Sequence, residues 1–489
     1  MNLQDKSLLR GVELIQGGRE TSLCPGQFFE VTDPATSRPI ALVPDLDAEQ
    51  CIEAVTTAVK AAEEVKKLTA KARSEMLQKW CTLTREAEED LSRIITAENG
   101  KPLVEAKAEI AYASEFIHWF SGEAQRLDGS KVTASSVSSH RVITLKQPVG
   151  VVGIVTPWNF PAAMVTRKVA AAIAAGCTCV LKPAEETPMT ALAMAELANR
   201  AGLPAGAFSV VTTATHRVEV GKVLTQHPDI RKFSFTGSTA VGKLLAAQCA
   251  TTVKRVSLEL GGNAAFVIFD DANLEKAVEG IMQSKFRLSG QTCVCANRVY
   301  IQSGIHDRLV QALVQRVKCF QLGPGDDPNT TLGPLINSRA ADKVAVHVED
   351  ARARGAQILF GGQRAEGLGR AFFEPTVAIN VHPDSLCAQE ETFGPLVPII
   401  KFDSEEDAIQ MTNSSSVGLS GYLFTESLSR AWRVAEAMEV GMVGVNTGRI
   451  SDVAVPFGGV KESGLGREGA SVGVNEYLEI KSVTLDIGS

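Results

Sequence analysis

The sequence predicts an α/β protein built around a doubly wound, mainly parallel sheet. From residue 141 onward, short runs rich in β-branched residues alternate with segments of helical period. Such alternation favours parallel strands with helices on both faces, and ligands then bind at the carboxyl ends of the strands. The length of 489 residues leaves room for roughly three units of about 150 residues each. With 45% hydrophobic residues, the chain can bury a sizeable core.

The segment before this alternation is helical. Between Asp47, a plausible helix cap, and Gly100, a stop, apolar residues recur every three or four positions. This pattern predicts two long helices, followed by a third through Trp119. The alternating elements that we then expect are a strand at 141–157, a helix from Pro161 to Gly176, strands at 177–183 and 208–212 around a helix at 189–201, a strand at 230–237, a helix through Ala250 and a strand at 254–260.

A second alternating series follows and predicts a second α/β domain. Its strands are expected at 264–271, 297–302, 356–360, 397–402, 421–424 and 443–446. The tail at 476–487 alternates apolar and polar residues, as an edge strand does. No helix follows to cover it, so it either pairs with another subunit or frays on the surface.

Composition excludes several functions and partners. The net charge of −7 argues against a nucleic-acid or anionic-membrane partner, whereas a small anionic substrate remains open. The longest strongly apolar run, Val169 to Leu181, is too short for a membrane span. The N-terminus lacks the pattern of a signal or transit peptide, which favours a cytoplasmic protein, or a matrix protein if a leader was removed. The ten cysteines lack zinc-ligand spacing, so we expect reduced thiols and no metal.

Four short segments have the residue types of an active site. The run from Gly290 to Cys295 places a thiol in a turn, although a lone cysteine is more often simply buried. The other three put polar side chains at strand ends or in a loop: Trp158–Pro161, Glu259–Gly262 and Glu391–Pro395.

In this order, together with Pro456–Gly459 and Gly466–Glu468, these segments resemble the aldehyde dehydrogenase superfamily over essentially the whole chain. The resemblance implies a Rossmann-type cofactor domain, a second α/β catalytic domain and a small β element for oligomerisation. It also implies that Cys293 is the nucleophile, Asn159 an oxyanion donor and Glu259 the general base. These residue types suit the reaction, because a thiolate adds to a carbonyl, an amide stabilises the oxyanion and a carboxylate activates water.

The resemblance further implies a nicotinamide cofactor. Its expected binding residues are Trp158, Lys182, Glu185, Gly237, Ser238, Gly242, Glu391 and Phe393. The acidic Glu185 repels a 2′-phosphate, which favours NAD, with NADP left open. A rival interpretation, a nucleotide hydrolase, rests on Gly237, Gly242 and Lys243, but Leu244 stands where a magnesium-binding hydroxyl is needed.

Details near the nucleophile resemble the succinate-semialdehyde dehydrogenase branch, and so imply a role in GABA degradation. In that branch the residues matching Arg167, Arg287 and Ser451 hold the distal carboxylate of the substrate. Arg449 and Leu288–Ser289 depart from the usual pattern. A longer substrate such as glutarate semialdehyde therefore remains an alternative, as does an inactive relative that keeps the fold.

Two further expectations concern regulation and assembly. Cys295 is a candidate redox partner for Cys293, although a packed small side chain is an equal alternative. We expect a homodimer or homotetramer. The proposed domains are 1–125 with 148–259 for the cofactor, 260–451 for catalysis, and 126–147 with 473–489 for oligomerisation.

Overall fold

The computed structural model describes residues 1–14, 27–127 and 129–488, and for 130–134 only the backbone. Cys24, one of the ten cysteines, lies outside these ranges. The chain begins with a small sheet and four helices, followed by a hairpin of two strands. These elements are β1 (Glu13–Leu14), β2 (Phe28–Thr32), β3 (Pro39–Pro44), α1 (Ala48–Val65), α2 (Ala70–Glu86), α3 (Glu88–Asn99), α4 (Leu103–Glu123), β4 (Ser130–Ala134) and β5 (His140–Pro148).

Two alternating series make up the rest of the chain. The first contains β6 (Val151–Val155), α5 (Pro161–Ala175), β7 (Thr178–Lys182), α6 (Pro188–Arg200), β8 (Phe208–Val210), α7 (Arg217–Gln226), β9 (Ile230–Thr236), α8 (Thr239–Ala250) and β10 (Arg255–Glu259). The second contains β11 (Ala264–Ile268), α9 (Leu274–Lys285), β12 (Ala296–Gln302), α10 (His306–Val317), α11 (Ser338–Ala353), β13 (Gln357–Phe360), β14 (Thr376–Ile379), α12 (Leu386–Gln389), β15 (Leu396–Phe402), α13 (Glu405–Asn413), β16 (Val417–Gly418), β17 (Ser420–Phe424), α14 (Leu428–Ala437) and β18 (Met442–Val445). The chain ends with β19 (Val460–Lys461), β20 (Gly464–Leu465) and β21 (Leu478–Asp486).

The first series forms the doubly wound sheet that the sequence predicts. Its strand order is β20-β10-β9-β6-β7-β8, and all neighbours are parallel except β20. The order of the five parallel strands reverses between β6 and β9. In such sheets ligands bind in the crevice at this reversal, so the loops after β6 and β9 border the expected cofactor site.

The second series forms a seven-stranded sheet, in the order β13-β14-β15-β12-β11-β17-β18, with only β13 antiparallel. The α/β fold class is therefore confirmed. Helix α5 packs against the first sheet and is buried at every position, which explains why its sequence is apolar all round rather than amphipathic.

Three expectations about elements need correction. The segment 47–100 contains three helices rather than two, because the backbone leaves helical geometry at Ala87 without a glycine or proline to signal it. The predicted strand at 141–157 is two strands in different sheets, separated at Gly150, whose φ is +117°. The N-terminal sheet and α7 were not foreseen.

The tail strand pairs within its own chain. β21 runs antiparallel to β5 from Leu478 opposite Pro148 to Asp486 opposite His140, and β4 completes this three-stranded sheet. The tail is therefore ordered rather than frayed, while its pairing with another subunit stays a prediction. Across the described residues, none of the helices combines the length and apolar character that crossing a membrane requires.

Candidate active site

Cys293 lies in a turn between a short 3₁₀ segment, Arg287–Gly290, and β12. Three successive residues before it, Leu288, Ser289 and Gly290, have φ values of 51°, 53° and 80°. For leucine this left-handed conformation is strained. Side-chain hydrogen bonds hold it: the half-buried Glu105 carboxylate accepts from Leu288 N at 3.1 Å, and Ser289 Oγ donates to Gly333 O at 2.7 Å. The Cys293 side chain is half-buried at the end of this braced turn.

Asn159 lies in the loop between β6 and α5, at the point where the strand order reverses. Its side chain is buried, and its Nδ2 donates to Gln291 O at 3.1 Å, two residues before the cysteine. An amide nitrogen has two hydrogens, so the second N–H is available for a substrate oxygen. The structure thus brings Asn159 to the cysteine turn, as an oxyanion donor requires.

Glu259 is the last residue of β10 and is 4% exposed. Its Oε2 has no hydrogen-bond partner among the described residues. Burial, reinforced by the nearby Glu468 carboxylate, raises the pKa of Glu259 well above its usual value, whereas Lys168 and Arg167 act in the opposite direction. Once it is ionised, a carboxylate with a raised pKa and a free oxygen is a stronger proton acceptor than an ordinary carboxylate.

Charged groups near Glu259, and Glu259 itself, also act on the thiol of Cys293. Burial raises the pKa of Cys293 to about 12; the Glu391 and Glu259 carboxylates add to the shift, and Arg167 and Arg287 oppose it. The nucleophile is therefore a neutral thiol in this arrangement and must lose a proton before it attacks.

Some of the predicted cofactor residues make contacts near the switch point. The Trp158 and Phe393 rings meet edge to face, with centroids 5.5 Å apart. Glu391 Oε1 accepts from Gly262 N at 3.2 Å, and burial raises the pKa of Glu391 to about 7. The buried hydroxyl Thr236 Oγ1, at the end of β9, has no hydrogen-bond partner among the described residues.

The turn between β9 and α8 leads directly into the N-terminus of a helix. Ser238 caps α8 by accepting from Val241 N, and the remaining first-turn N–H groups favour an anion. A side chain at Gly242 would collide with Leu260, since its Cβ would lie 2.3 Å from Leu260 Cδ2. Lys243 is ion-paired with Glu462 at 2.6 Å. Together with Thr236, this turn fits a dinucleotide.

Glu185, a predicted cofactor residue, has two cationic neighbours. Its carboxylate lies 3.8 Å from Lys182 Nζ and 2.7 Å from an Arg217 nitrogen. Although burial opposes ionisation, these two cations hold the pKa of Glu185 below its usual value. Sequence reasoning missed Arg217, which lies at the start of the unforeseen α7.

A cavity of about 540 Å³ opens on the other side of the cysteine turn. Thr292 and Val294, which flank Cys293, line it together with Arg287 and Ser451. The Arg287 guanidinium lies 5.0 Å from the centroid of the Phe160 ring and has no hydrogen bond or ion pair among the described residues. The exposed Arg449 also lines the cavity, as do the cationic side chains of Lys101 and Arg316.

Arg167 lies outside the set of residues that line this cavity. It is buried beside the Phe116 and Phe457 rings and donates to Tyr112 Oη at 2.9 Å, while its Nη1 is 3.6 Å from Glu468 Oε2. Its Nε and Nη1 lack hydrogen-bond partners among the described residues. Of the two arginines predicted to bind the substrate, Arg287 therefore lines the cavity, whereas Arg167 lies behind Tyr112.

Cys295 is buried, and its Sγ lies 3.6 Å from the carbonyl oxygens of Lys285 and Ala296. In the described part of the chain, no group of three or more His, Cys, Asp or Glu side chains is arranged to hold a metal ion.

Several residues that shape the site escaped sequence reasoning. Each of them acts through a contact with a distant part of the chain. They lie in α4 or just before it: Lys101, Glu105, Glu109 and Tyr112. The only available signal was the spacing 105, 109 and 112, which places three side chains on one face of a helix.

Comparisons with known proteins agree with this geometry. Residues 22–483 match the model of the aldehyde dehydrogenase family. Over 96% of this chain and 94% of the relative, the sequence is 52% identical to succinate-semialdehyde dehydrogenase [NADP(+)] 1 of Schizosaccharomyces pombe. It is 50% identical to 3-sulfolactaldehyde dehydrogenase of Pseudomonas putida (99% of both chains) and 49% identical to glutarate-semialdehyde dehydrogenase of P. putida KT2440 (100% of both).

A solved structure extends the likeness to the fold. The crystal structure of succinate-semialdehyde dehydrogenase from Burkholderia pseudomallei has a TM-score of 0.95 and 47% identity, covering 99% of this chain and 100% of that one. The family model matches nearly the full length of the chain, and the relatives share about half of its residues, so the family is established. The chain belongs to the aldehyde dehydrogenase family and is an oxidoreductase.

Proposed function

We propose that this enzyme oxidises succinate semialdehyde to succinate with NAD. The observation that supports this most is the convergence of Cys293, Asn159 and Glu259 beside a cavity lined by Arg287 and Ser451. The relatives named above act on aldehydes with a distal acidic group, so another small acidic semialdehyde, glutarate semialdehyde first, is the alternative.

The first step is addition of the Cys293 sulfur to the aldehyde carbon. Because the thiol is neutral, it must lose its proton to solvent before the sulfur attacks, which leaves the Glu259 carboxylate, with its free Oε2, available for the later hydrolysis. The carbonyl oxygen becomes an oxyanion. The second Nδ2 hydrogen of Asn159 and the backbone N–H of Cys293 are the proposed donors to it, and each such donor contributes about 3 kcal/mol in comparable sites.

The oxyanion then collapses and a thioester remains on Cys293. The role of NAD is to accept the hydride that leaves the former aldehyde carbon. Glu259 next takes a proton from a water molecule, which attacks the thioester and releases the carboxylate product and the free thiol. Because Glu259 stays protonated at low pH, hydrolysis of the thioester should accelerate as the pH rises.

Arg287 and Ser451 are the proposed partners of the distal carboxylate. A guanidinium without another ion pair binds a carboxylate strongly, since its N–H groups are free to donate two parallel hydrogen bonds. Arg167 is proposed to contribute to carboxylate binding through its positive charge. It also acts through its hydrogen bond to Tyr112, which lines the cavity. Arg449, nearer the opening, is the residue that would favour the longer glutarate semialdehyde.

The cofactor preference is proposed to be NAD. A carboxylate at Glu185 accepts hydrogen bonds from an adenosine ribose and repels a 2′-phosphate. Its ion pair with Arg217 reduces that repulsion, so NADP use at a lower rate is the alternative.

The β21 sheet is the proposed site of oligomerisation, with 1–125 and 148–259 as the cofactor domain and 260–451 as the catalytic domain. Ile480 and Leu485 on β21 are 74% and 44% exposed. Apolar side chains on a strand that is paired on one side only favour burial against another subunit.

The test is NADH production across matched aldehydes. Succinate semialdehyde, glutarate semialdehyde and uncharged butanal are compared with the parent and with Cys293→Ala, using NAD and NADP in turn. We expect the acidic aldehydes to be preferred and the variant to be inactive. Equal kcat/KM for butanal and succinate semialdehyde would contradict the proposed substrate.

A further inference from the structure

A buried ion pair from the N-terminal helical region contacts the loop between β6 and α5, which carries Asn159. Lys101, just before α4, and Glu109, within α4, contact each other through Nζ and Oε2, and their side chains are 1% and 0% exposed. Both residues also line the substrate cavity. None of the proposed chemical steps uses either one.

One partner of this pair contacts Asn159 itself, and the other contacts the helix that begins two residues later. Lys101 Nζ donates to the backbone oxygen of Asn159 at 2.8 Å and lies 4.4 Å from the centroid of the Phe160 ring. Glu109 Oε1 accepts from Ala162 N at 2.8 Å and, more weakly, from Ala163 N at 3.3 Å. These amides belong to the first turn of α5, which has no capping side chain of its own. The pair therefore fixes the carbonyl group of the predicted oxyanion donor and the first turn of the helix that follows it.

A second glutamate in the same region provides a natural comparison. Glu98 caps α6 in the same way, by accepting from Met189 N at 2.8 Å and Thr190 N at 2.9 Å. Both α5 and α6 begin with proline and lack a capping side chain. Glu98, however, forms no ion pair among the described residues, and burial raises its pKa to about 8. Capping a buried helix thus does not require a lysine.

Stability alone is a weak reason for a buried ion pair, because the cost of removing two charges from water often equals the Coulombic gain. The difference between the two glutamates is instead geometric: only the Glu109 pair reaches a residue of the reacting centre. A displacement of about 1 Å at such a residue costs roughly 100-fold in rate.

Resting on the function proposed above, we propose that Lys101 and Glu109 are positioning residues that set the location of Asn159 for the oxyanion. Their loss should slow acylation of Cys293 and leave binding of the aldehyde unchanged. The whole effect should pass through the Asn159 side chain.

The test is a double-mutant cycle between Lys101→Met and Asn159→Ala in the full-length enzyme, read as the rate of the first NADH turnover and as KM. We expect Lys101→Met to lower that rate about 10- to 100-fold with little change in KM, and to add almost nothing in the Asn159→Ala background. Lys101→Arg, which keeps the charge, should recover most of the rate.

Glu109→Gln is the second variant, because it removes the charge while keeping an acceptor, and it should follow Lys101→Met in rate and KM. Glu98→Gln is the matched control, and thermal unfolding is recorded for all variants. Equal proportional losses in the parent and Asn159→Ala backgrounds would overturn the proposal. So would a rate loss no larger than that of Glu98→Gln. If instead the parent enzyme oxidised no acidic aldehyde, the proposed function would fail on its own, before any variant was compared.

Discussion

The reacting centre and the distal end of the substrate cavity are built in different ways. Asn159, Glu259 and Cys293 lie next to strand ends, in segments that backbone hydrogen bonds and a braced turn hold in place. At the distal end, Arg287 and Ser451 make no side-chain hydrogen bond among the described residues, and Arg449 is exposed. We therefore expect the fold to fix the reacting centre, while the side chains at the distal end select the substrate.

This difference predicts two kinds of mutational effect. A change at the reacting centre should lower the turnover of every aldehyde. A change at the distal end should alter KM for acidic aldehydes and leave uncharged ones nearly unaffected. The predictions below test this division.

The largest effect is expected for Glu259→Gln. Since general bases contribute about 10²- to 10⁴-fold, steady-state turnover should fall by a factor in that range for acidic and uncharged aldehydes alike. The parent rate should rise with pH through the raised pKa of Glu259, because only the ionised carboxylate accepts a proton, and the variant should lose this rise in thioester hydrolysis. Stopped-flow NADH traces and pH profiles measure both. An unchanged pH profile for hydrolysis would assign the base elsewhere.

The next effect is expected at the distal end. Arg287→Ala should raise KM for succinate semialdehyde about 10- to 100-fold, which corresponds to the 1.5–3 kcal/mol of a charge-assisted hydrogen bond. KM for butanal should change by less than about threefold. Initial-rate kinetics with both aldehydes decide this, and a similar increase for both would remove the distinction between the two regions. Arg167→Ala, beside Glu468 and Glu259, should lower turnover as well as raise KM.

A smaller effect is expected at the cofactor. Glu185→Ser should shift the preference toward NADP by about tenfold, equivalent to about 1.4 kcal/mol, because the charge facing a 2′-phosphate is removed while Lys182 and Arg217 remain. The measurement is kcat/KM for NAD and NADP at saturating aldehyde. No change in the ratio would mean that Glu185 does not face the ribose.

The smallest effect on turnover is expected for Cys295→Ala. Cys295 stays a proposal as the redox partner of Cys293: a peroxide would oxidise Cys293 to a sulfenic acid, and the Cys295 thiol would displace water to form a disulfide. Peroxide inactivation should then be reversible by dithiothreitol in the parent and in Cys319→Ala, a control at an exposed thiol, but not in Cys295→Ala. Equal reversibility in all three proteins would exclude the switch.

Sequence reasoning could propose a reacting centre because its residues lie in short motifs at strand ends, where local pattern and fold coincide. It identified the two α/β units for the same reason. It missed the break at Ala87, since no glycine or proline marks it, and it missed α7, which brings Arg217 to Glu185. It also missed Lys101 and Glu109, because their roles depend on contacts with loops 50 to 60 residues away.

The most direct test of the central claim is the intact mass of Glu259→Gln mixed with succinate semialdehyde and NAD, then quenched in acid. If Cys293 forms the thioester and Glu259 drives its hydrolysis, one succinyl group should accumulate per chain, and peptide mapping should place it on Cys293. The double variant Glu259→Gln with Cys293→Ala should gain no mass. Absence of the adduct while NADH is produced, or an adduct on another residue, would contradict the account.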